Sequence, residues 1–318
     1  MKSQISISRA QGCLFGQLAG DSLGSLVEFQ SPQTIKRHYP SGVRYLADGG
    51  SWGTIAGQPT DDSEMALMLA RTLIEWGDYD PAEARKTYIF WLNSSPFDCG
   101  GTVRAGLGGH PNPASQANGA LMRISPLGIW GANYDVRQVS AWAQQDAAIT
   151  HPHPICLQAN ALFAMAISYS ISTDDISPVE VYRKVLVWAE ELRVEESLMD
   201  AIRDAESGPP TDYVSKMGWV LIGFQNAFWQ LLHATNLEEG IVDTIGRGGD
   251  TDTNAAICGA LLGSVYGRDA IPSQWIECLN QCRPESGRPN VRRARPRCFW
   301  PIDASEIADR LIAPRDEP

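Results

Sequence analysis

The sequence predicts an all-α protein, a compact orthogonal bundle of many helices, and three observations carry that prediction. Apolar residues recur at three- and four-residue steps, as in Ala66, Leu69, Leu73 and Trp76, the stripe of a helix packed by one face. Alternating apolar and polar runs, the mark of half-buried strands, are scarce. Ten separate segments carry helical patterns, and that many helices with few strands imply layers of helix on helix.

The candidate helices cover residues 9–28, 62–77, 81–93, 136–148, 155–171, 178–193, 216–233, 237–244, 252–265 and 303–312. Gly- and Pro-rich connections near 30–59, 94–119, 205–215 and 283–301 read as surface loops able to carry function on a helical scaffold. None has the composition of a domain linker, so residues 1–318 are expected to form one domain. Its 43% apolar and 20% charged residues sit near globular averages and argue against disorder.

Charge and cysteine content narrow the function. A formal net charge of −11 repels a nucleic-acid backbone at long range, so nucleic acid is not an expected partner. No stretch approaches 18 uninterrupted apolar residues and the opening MKSQISISRAQ has no apolar secretory core, so no membrane association and a cytoplasmic location are expected. The seven cysteines show no paired C-x2-C zinc spacing and fit a reducing compartment, with Cys278, Cys282 and Cys298 read as packing residues.

The first helix carries Gly12, Gly16, Gly20 and Gly24 at strict four-residue spacing, a ridge without Cβ atoms that permits close backbone approach. Asp21 and Glu28, seven residues apart, are expected two turns apart on that helix. Asp21 reads either as a brace for a neighbouring helix end or as a metal ligand.

Two acidic clusters stand out. Thr60-Asp61-Asp62-Ser63 follows a Gly-rich loop and opens a helix; one of these residues could be an N-cap, but adjacent carboxylates repel unless a cation lies between them. Gly248-Gly249-Asp250-Thr251-Asp252-Thr253-Asn254 repeats the layout, glycines leading into a small-residue helix. Carboxylate and hydroxyl oxygens at such short spacing suit Mg²⁺ or Mn²⁺, and the positive ends of two helix dipoles favour the ionised ligands. Two clusters supply enough oxygens for two divalent cations, which can orient water and neutralise charge as a leaving group departs.

Competing motifs are weaker. There is no P-loop, dinucleotide fingerprint or G-x-S-x-G elbow. His151 and His153 flank Pro152, where a histidine near a helix start is more often structural than a ligand. Arg288, Arg292, Arg293, Arg295 and Arg297 form a basic, proline-punctuated arm that reads as a solvated loop. Trp91, Trp130, Trp142 and most of the other aromatics fit core positions better than a stacking platform.

Taken together, the blocks resemble the ADP-ribosylglycohydrolase family. Gly20-Asp21-Ser22-Leu23-Gly24 with Glu28, Thr60-Asp61-Asp62-Ser63, Gln116-Ala117-Asn118-Gly119-Ala120-Leu121-Met122-Arg123, Thr150-His151 and Arg247 to Asn254 stand in the family's order over residues 10–265. One departure is that Gln116-Ala117 stand where the family's loop often reads Gly-Asn-Gly. The resemblance implies two Mg²⁺ or Mn²⁺ ions held by Thr60, Asp61, Asp62, Asp250, Asp252 and Thr253, with Glu28 at the same centre. It also implies ADP-ribose as the ligand, bound by Asn118, Gly119, His151, Gly248 and Gly249, and an ADP-ribosylated protein as the substrate. Glu28 or Asp62 is assigned acid/base work, and Asp98, in a loop like that of arginine-specific members, is assigned to the modified guanidinium. The loop could instead simply need a turn-forming aspartate there. Release of ADP-ribose from ADP-ribosylarginine is the leading expectation, with an ADP-ribosylating toxin as one source of the mark. The rival readings are a serine or O-acetyl linkage, and a non-catalytic, crystallin-like binder.

Overall fold

The computed structural model describes residues 3–313. Its helices are α1 (Gln4–Gly24), α2 (Pro32–His38), α3 (Asp61–Trp76), α4 (Pro81–Asn93), α5 (Gly101–Leu107), α6 (Ser125–Gly131), α7 (Val136–Ala148) and α8 (Pro154–Ser172). The chain continues through α9 (Pro178–Leu192), α10 (Glu196–Ser207), α11 (Val220–His233), α12 (Leu237–Gly246), α13 (Thr251–Tyr266), α14 (Ser273–Gln281) and α15 (Ala304–Ile312). Among the described residues there is no strand, only isolated bridges at Gly49 with Thr54 and Ala117 with Trp219. The all-α expectation holds.

The glycine ridge of α1 explains the centre of the fold. A Cβ built on Gly12, Gly16, Gly20 or Gly24 would strike the backbone of Gly263, Gly259, Ala255 or Asp252 respectively. The falling partner numbers make α1 and α13 antiparallel, and the contact is reciprocal, because Gly259 and Gly263 are blocked by the carbonyls of Gly16 and Gly12. The two backbones touch with no side chains between them, which only residues without a Cβ allow. Thr251 Oγ1 closes the end of the crossing by donating to the Gly24 carbonyl at 2.7 Å.

Around this pair the buried apolar side chains, from Ala10 to Ile312, form one contiguous cluster. Helix α8 is long and apolar enough to cross a membrane, yet 78% of its apolar window is buried inside the protein, as befits a core helix. Trp91 and Trp130 are fully buried and Trp142 nearly so, as their core reading requires. Caps fall where the sequence offers them: Asp80 receives Ala82 and Glu83 N–H groups, and Ser177 with Glu180 forms a reciprocal capping box.

Helices α2, α5, α6, α10 and α14 lie outside the expected segments. α10 buries Leu198, Ala201, Ile202 and Ala205, a spacing that periodicity alone could have read. α5 and α6 are short and glycine-containing and depend on tertiary contact: Gly106 packs on Thr150 and Gly128 on Ile167 and Ala164. The first helix also stops sooner than expected. α1 ends at Gly24 and Glu28 sits in the turn that follows, because Phe29 adopts a left-handed conformation (φ 65°) with its N–H held by the Gly249 carbonyl at 2.8 Å.

The basic arm needs a second correction, since Arg295 is buried rather than solvated. It forms a bidentate pair with Glu64 of α3, both bonds 2.7 Å, and also donates to the Ser94 carbonyl. Trp91 Nε1 adds a third bond to Glu64 at 2.8 Å. Arg288, Arg292, Arg293 and Arg297 stay exposed.

The helix crossing predicts a specific sensitivity. Gly16→Val should cost about 3 kcal/mol or more in denaturant unfolding, because its side chain falls on backbone that cannot yield. Gly246→Ala, with open space around it, should stay within about 0.5 kcal/mol of the parent.

Candidate active site and metal centre

The α1 and α13 crossing delivers the start of α13 beside the end of α1, and Asp21 ties the start of α3 to the same point. Fully buried, Asp21 accepts from Thr60 N at 3.1 Å, Thr60 Oγ1 at 2.8 Å and Ser63 N at 3.1 Å. Its bracing role is therefore plain: it caps α3 from another helix. Thr60 occupies the N-cap position yet makes no side-chain cap bond of its own. The consequence is chemical, because neither Asp61 nor Asp62 is consumed in capping.

Thr60 Oγ1 lies between Asp21 and Asp62, 2.9 Å from Asp62 Oδ2. Across the gap, Glu28, Asp250 and Asp252 each offer an oxygen within 4.8 Å of the others, and all three are buried. Thr253 of α13 lies close enough to Asp62 to lower its pKa, so the two acidic blocks adjoin. Two carboxylate oxygens, Asp62 Oδ1 and Asp252 Oδ2, are buried without any hydrogen-bond partner in the protein.

The electrostatics of this cluster are severe. Burial first, then repulsion from Asp98 and Asp250, pushes Glu28 from its ordinary value up to about 8. Burial likewise raises Asp61, Asp62 and Asp252 well above the carboxylate range, with neighbouring acids adding to the effect. Asp98 rises to about 6, chiefly by burial. Nothing cationic among the described side chains is bonded to this group. Hard oxygen donors, partnerless carboxylate oxygens and mutual repulsion together fit a divalent cation, and the two helix N-termini help keep such ligands ionised.

Above this floor opens a cleft of about 340 Å³. Glu28, Asp61, Asp98, Asn118, Gly119, His151, Asp250 and Thr253 all line it, so eight of the expected residues meet in one space. Thr60, Asp62 and Asp252 lie behind the wall, almost wholly buried. Gly248 and Gly249 do not line it. Both have left-handed backbone (φ 74° and 76°), and a Cβ would meet Gln30 or Tyr213, so they let the loop fold tightly onto residues 29–32.

Asn118 donates to Asp250 Oδ2 at 2.7 Å, linking the substrate loop to the acidic floor. The loop is pinned from behind: Asn118 N bonds the Gly218 carbonyl at 2.9 Å, Val220 N the Gln116 carbonyl at 2.8 Å, and Trp219 Nε1 the Gln116 side chain at 2.8 Å. Gln116, the departure from the family's usual loop, thus serves as an anchor. His153 caps α8 through Nδ1, the structural role, while His151 faces the cleft.

Sequence reasoning missed Trp52. Its Nε1 donates to Glu28 Oε2 at 2.5 Å, and its ring lies 5.9 Å from Phe97 and 6.5 Å from Phe29. Trp52, itself packed between two phenylalanines, therefore holds the Glu28 carboxylate. A tryptophan inside the Gly-rich 49–53 segment was the available signal.

The amino-acid chain matches a known family, described as ADP-ribosylglycohydrolase, over residues 2–313. The chain belongs to the ADP-ribosylglycohydrolase family. It is 30% identical to the ADP-ribosyl-[dinitrogen reductase] glycohydrolase of Rhodospirillum rubrum, covering 86% of this chain and 90% of that one. It is 25% identical to the ADP-ribosylarginine hydrolase Tri1 of Pseudomonas putida (strain GB-1), covering 86% and 74%. A solved structure titled ADP-ribosylglycohydrolase-related protein complex superposes with a TM-score of 0.78 over 98% of this chain and 99% of that one; at 23% identity it attests the fold. The protein is accordingly a hydrolase of this family, its acidic cluster placed to hold divalent metal.

The raised carboxylates set a pH signature for the metal-free protein. A carboxylate with a folded value above its unfolded one contributes stability below the unfolded value and loses it as pH climbs through the folded one. For Glu28 that window runs from 4.5 to about 8, and for Asp98 from 3.8 to about 6. The melting temperature in chelator should fall between pH 5 and about 8, and saturating Mn²⁺ should abolish the fall. Asp252→Asn should raise the chelator value at pH 8 and remove the response to metal. A flat chelator profile would show that these carboxylates keep their ordinary values in the folded protein.

Proposed function

We propose that the protein releases ADP-ribose from ADP-ribosylated arginine side chains of proteins, with two Mg²⁺ or Mn²⁺ ions at the acidic centre. The observation that carries this reading is that Asp98 faces the same cleft as Glu28 and the acidic floor. Thr60, Asp61 and Asp62 from α3 and Asp250, Asp252 and Thr253 from α13 would hold the ions, with Glu28 beside them. When bound, the ions supply charge neutralisation and fixed positions for ribose hydroxyls and a water molecule.

The side chains divide the remaining work. Cleavage of the bond between the ribose anomeric carbon and the guanidinium nitrogen develops positive charge on the sugar, which nearby carboxylates stabilise. Asp98 makes charge-assisted hydrogen bonds to the guanidinium, a selectivity that a serine oxygen would not engage. The departing nitrogen needs a proton and the attacking water must lose one. Glu28 suits that work better than Asp62, because it lines the cleft and is held by Trp52, whereas Asp62 lies behind the wall.

The modification reversed is either a regulatory mark or one inflicted by an ADP-ribosylating toxin. All seven cysteines are free, which accords with action in the reducing cytoplasm.

Free ADP-ribose released from matched arginine-linked and serine-linked peptides, and from O-acetyl-ADP-ribose, measured with Mg²⁺, Mn²⁺ and chelator, tests the reading. Release from the arginine peptide alone, lost in chelator, is the expected result. Asp98→Asn should lower kcat/KM on that peptide roughly ten- to a hundredfold, the effect of losing a charge-assisted bond. Equal release from the serine peptide would overturn the arginine assignment, and binding without release from any substrate would leave the protein an ADP-ribose binder.

A further inference from the structure

His151 reaches the cleft through a chain of buried hydrogen bonds that runs back to an ion pair in the core. Arg123 and Asp146 are both fully buried, paired Nε to Oδ1 at 3.0 Å. The other Asp146 oxygen accepts from Tyr88 at 2.8 Å, and the Arg123 guanidinium lies 4.3 Å above the Tyr88 ring. Arg123 also donates to the Asp146 carbonyl at 2.9 Å. Its charge is balanced and its plane is fixed on three sides.

The remaining nitrogen, Nη1, points toward the cleft wall. It donates to Thr150 Oγ1 at 2.9 Å and to the Gly119 carbonyl at 3.3 Å. A guanidinium carries donors and no acceptor, so the Thr150 oxygen must accept in that bond. Among the described residues the only other polar neighbour of that oxygen is His151 Nδ1, at 2.7 Å; a proton on Nδ1 would leave the buried Thr150 proton without an acceptor, so the hydroxyl donates to the ring. An Nδ1 that accepts leaves the ring proton on Nε2.

His151 Nε2 is buried and has no partner in the protein, although its ring lines the cleft. Gly119 keeps the approach open: a Cβ there would lie 3.3 Å from Nε2 and 2.8 Å from Val103 Cγ2. Burial, with the nearby Arg123 charge, also pushes the imidazole down to about 3, which keeps it neutral at working pH.

We propose that Arg123 and Thr150 are positioning residues that lock His151 in its neutral, Nε2-protonated form, so that one N–H group is presented to an oxygen of the ligand in the cleft. That the ligand is ADP-ribose rests on the function proposed above; the hydrogen-bond chain that sets the tautomer does not. A buried N–H without a partner is costly, and a ligand oxygen that satisfies it gains the full difference. Arg123 couples the two walls of the cleft as well, because the same nitrogen holds the Gly119 carbonyl.

Nitrogen NMR of ¹⁵N-histidine-labelled protein, with the His151 signals assigned by their loss in His151→Gln, reads the tautomer directly. The wild-type chain should show Nε2 protonated and Nδ1 bare. Thr150→Val, which preserves shape and removes the hydroxyl, should give a mixture of tautomers; Thr150→Ser should restore the single form. Calorimetric titration with ADP-ribose in Mg²⁺ should show about tenfold weaker binding for Thr150→Val and parent-like binding, within about twofold, for Thr150→Ser. A wild-type proton on Nδ1, or a Thr150→Val protein with unchanged tautomer or unchanged affinity, would overturn the role given to the hydrogen-bond chain. Should Thr150→Val fail to fold, the wild-type tautomer still decides. Absence of ADP-ribose binding by the wild-type protein would instead sink the proposed function, with the tautomer measurement judging the hydrogen-bond chain on its own.

Discussion

Backbone contact between α1 and α13 is the constraint on which the rest of this structure depends. Four glycines on one helix and Gly259, Gly263 and Ala255 on the other leave no side chains between two antiparallel backbones. That closeness fixes the axial register as well as the distance, because each glycine opposes one carbonyl. The register brings Gly24 against Thr251 and Asp252, and the turn carrying Glu28 therefore begins beside the carboxylates of α13. A side chain at Gly24 would separate the two acidic groups that make the site.

Placing so many carboxylates out of water costs stability, and the fold does little internally to offset that cost. Asp21 is the best satisfied, with three donors at the start of α3, and by capping that helix it spares Asp61 and Asp62 that work. The contrast with Glu64 is instructive. Only two residues further along α3, it is equally buried, yet Arg295 and Trp91 meet both its oxygens. One acid is paired with a cation to hold the C-terminal arm against the bundle; the other two meet a hydroxyl and a backbone N–H, with no positive side chain among the described residues beside them. A buried acid's surroundings, more than its burial, separate structure from function here.

Much of the fold was legible. Helices such as α7 and α9 carry amphipathic stripes and side-chain N-caps, and their ends, Val136–Ala148 and Pro178–Leu192, fell within a few residues of expectation. The short helices were less readable for a physical reason: α5 and α6 contain glycines that have no intrinsic reason to be helical and are held by the close approach of Thr150 and Ile167. The end of α1 was misread because Leu26 and Val27 continue an apolar pattern. A left-handed Phe29, held by the distant Gly249 carbonyl, leaves no local trace in sequence.

By itself the sequence determined the chemistry on offer: two acidic blocks at helix starts, a glycine ridge demanding a close neighbour, and the order of blocks that marks the family. Composition and spacing are local properties, and local properties suffice for donor types and helix ends. Tertiary structure alone decided which oxygens remain free. Whether Asp21 braces or ligates and whether Arg295 is solvated or buried depend on partners 39 to 231 residues away in the chain, and which histidine faces the cleft depends on how Arg123 and Gly119 pack beside Thr150 and His151. Such pairings arise from the packing of the whole bundle, because desolvation makes a carboxylate or an imidazole take whatever partner the packed interior provides.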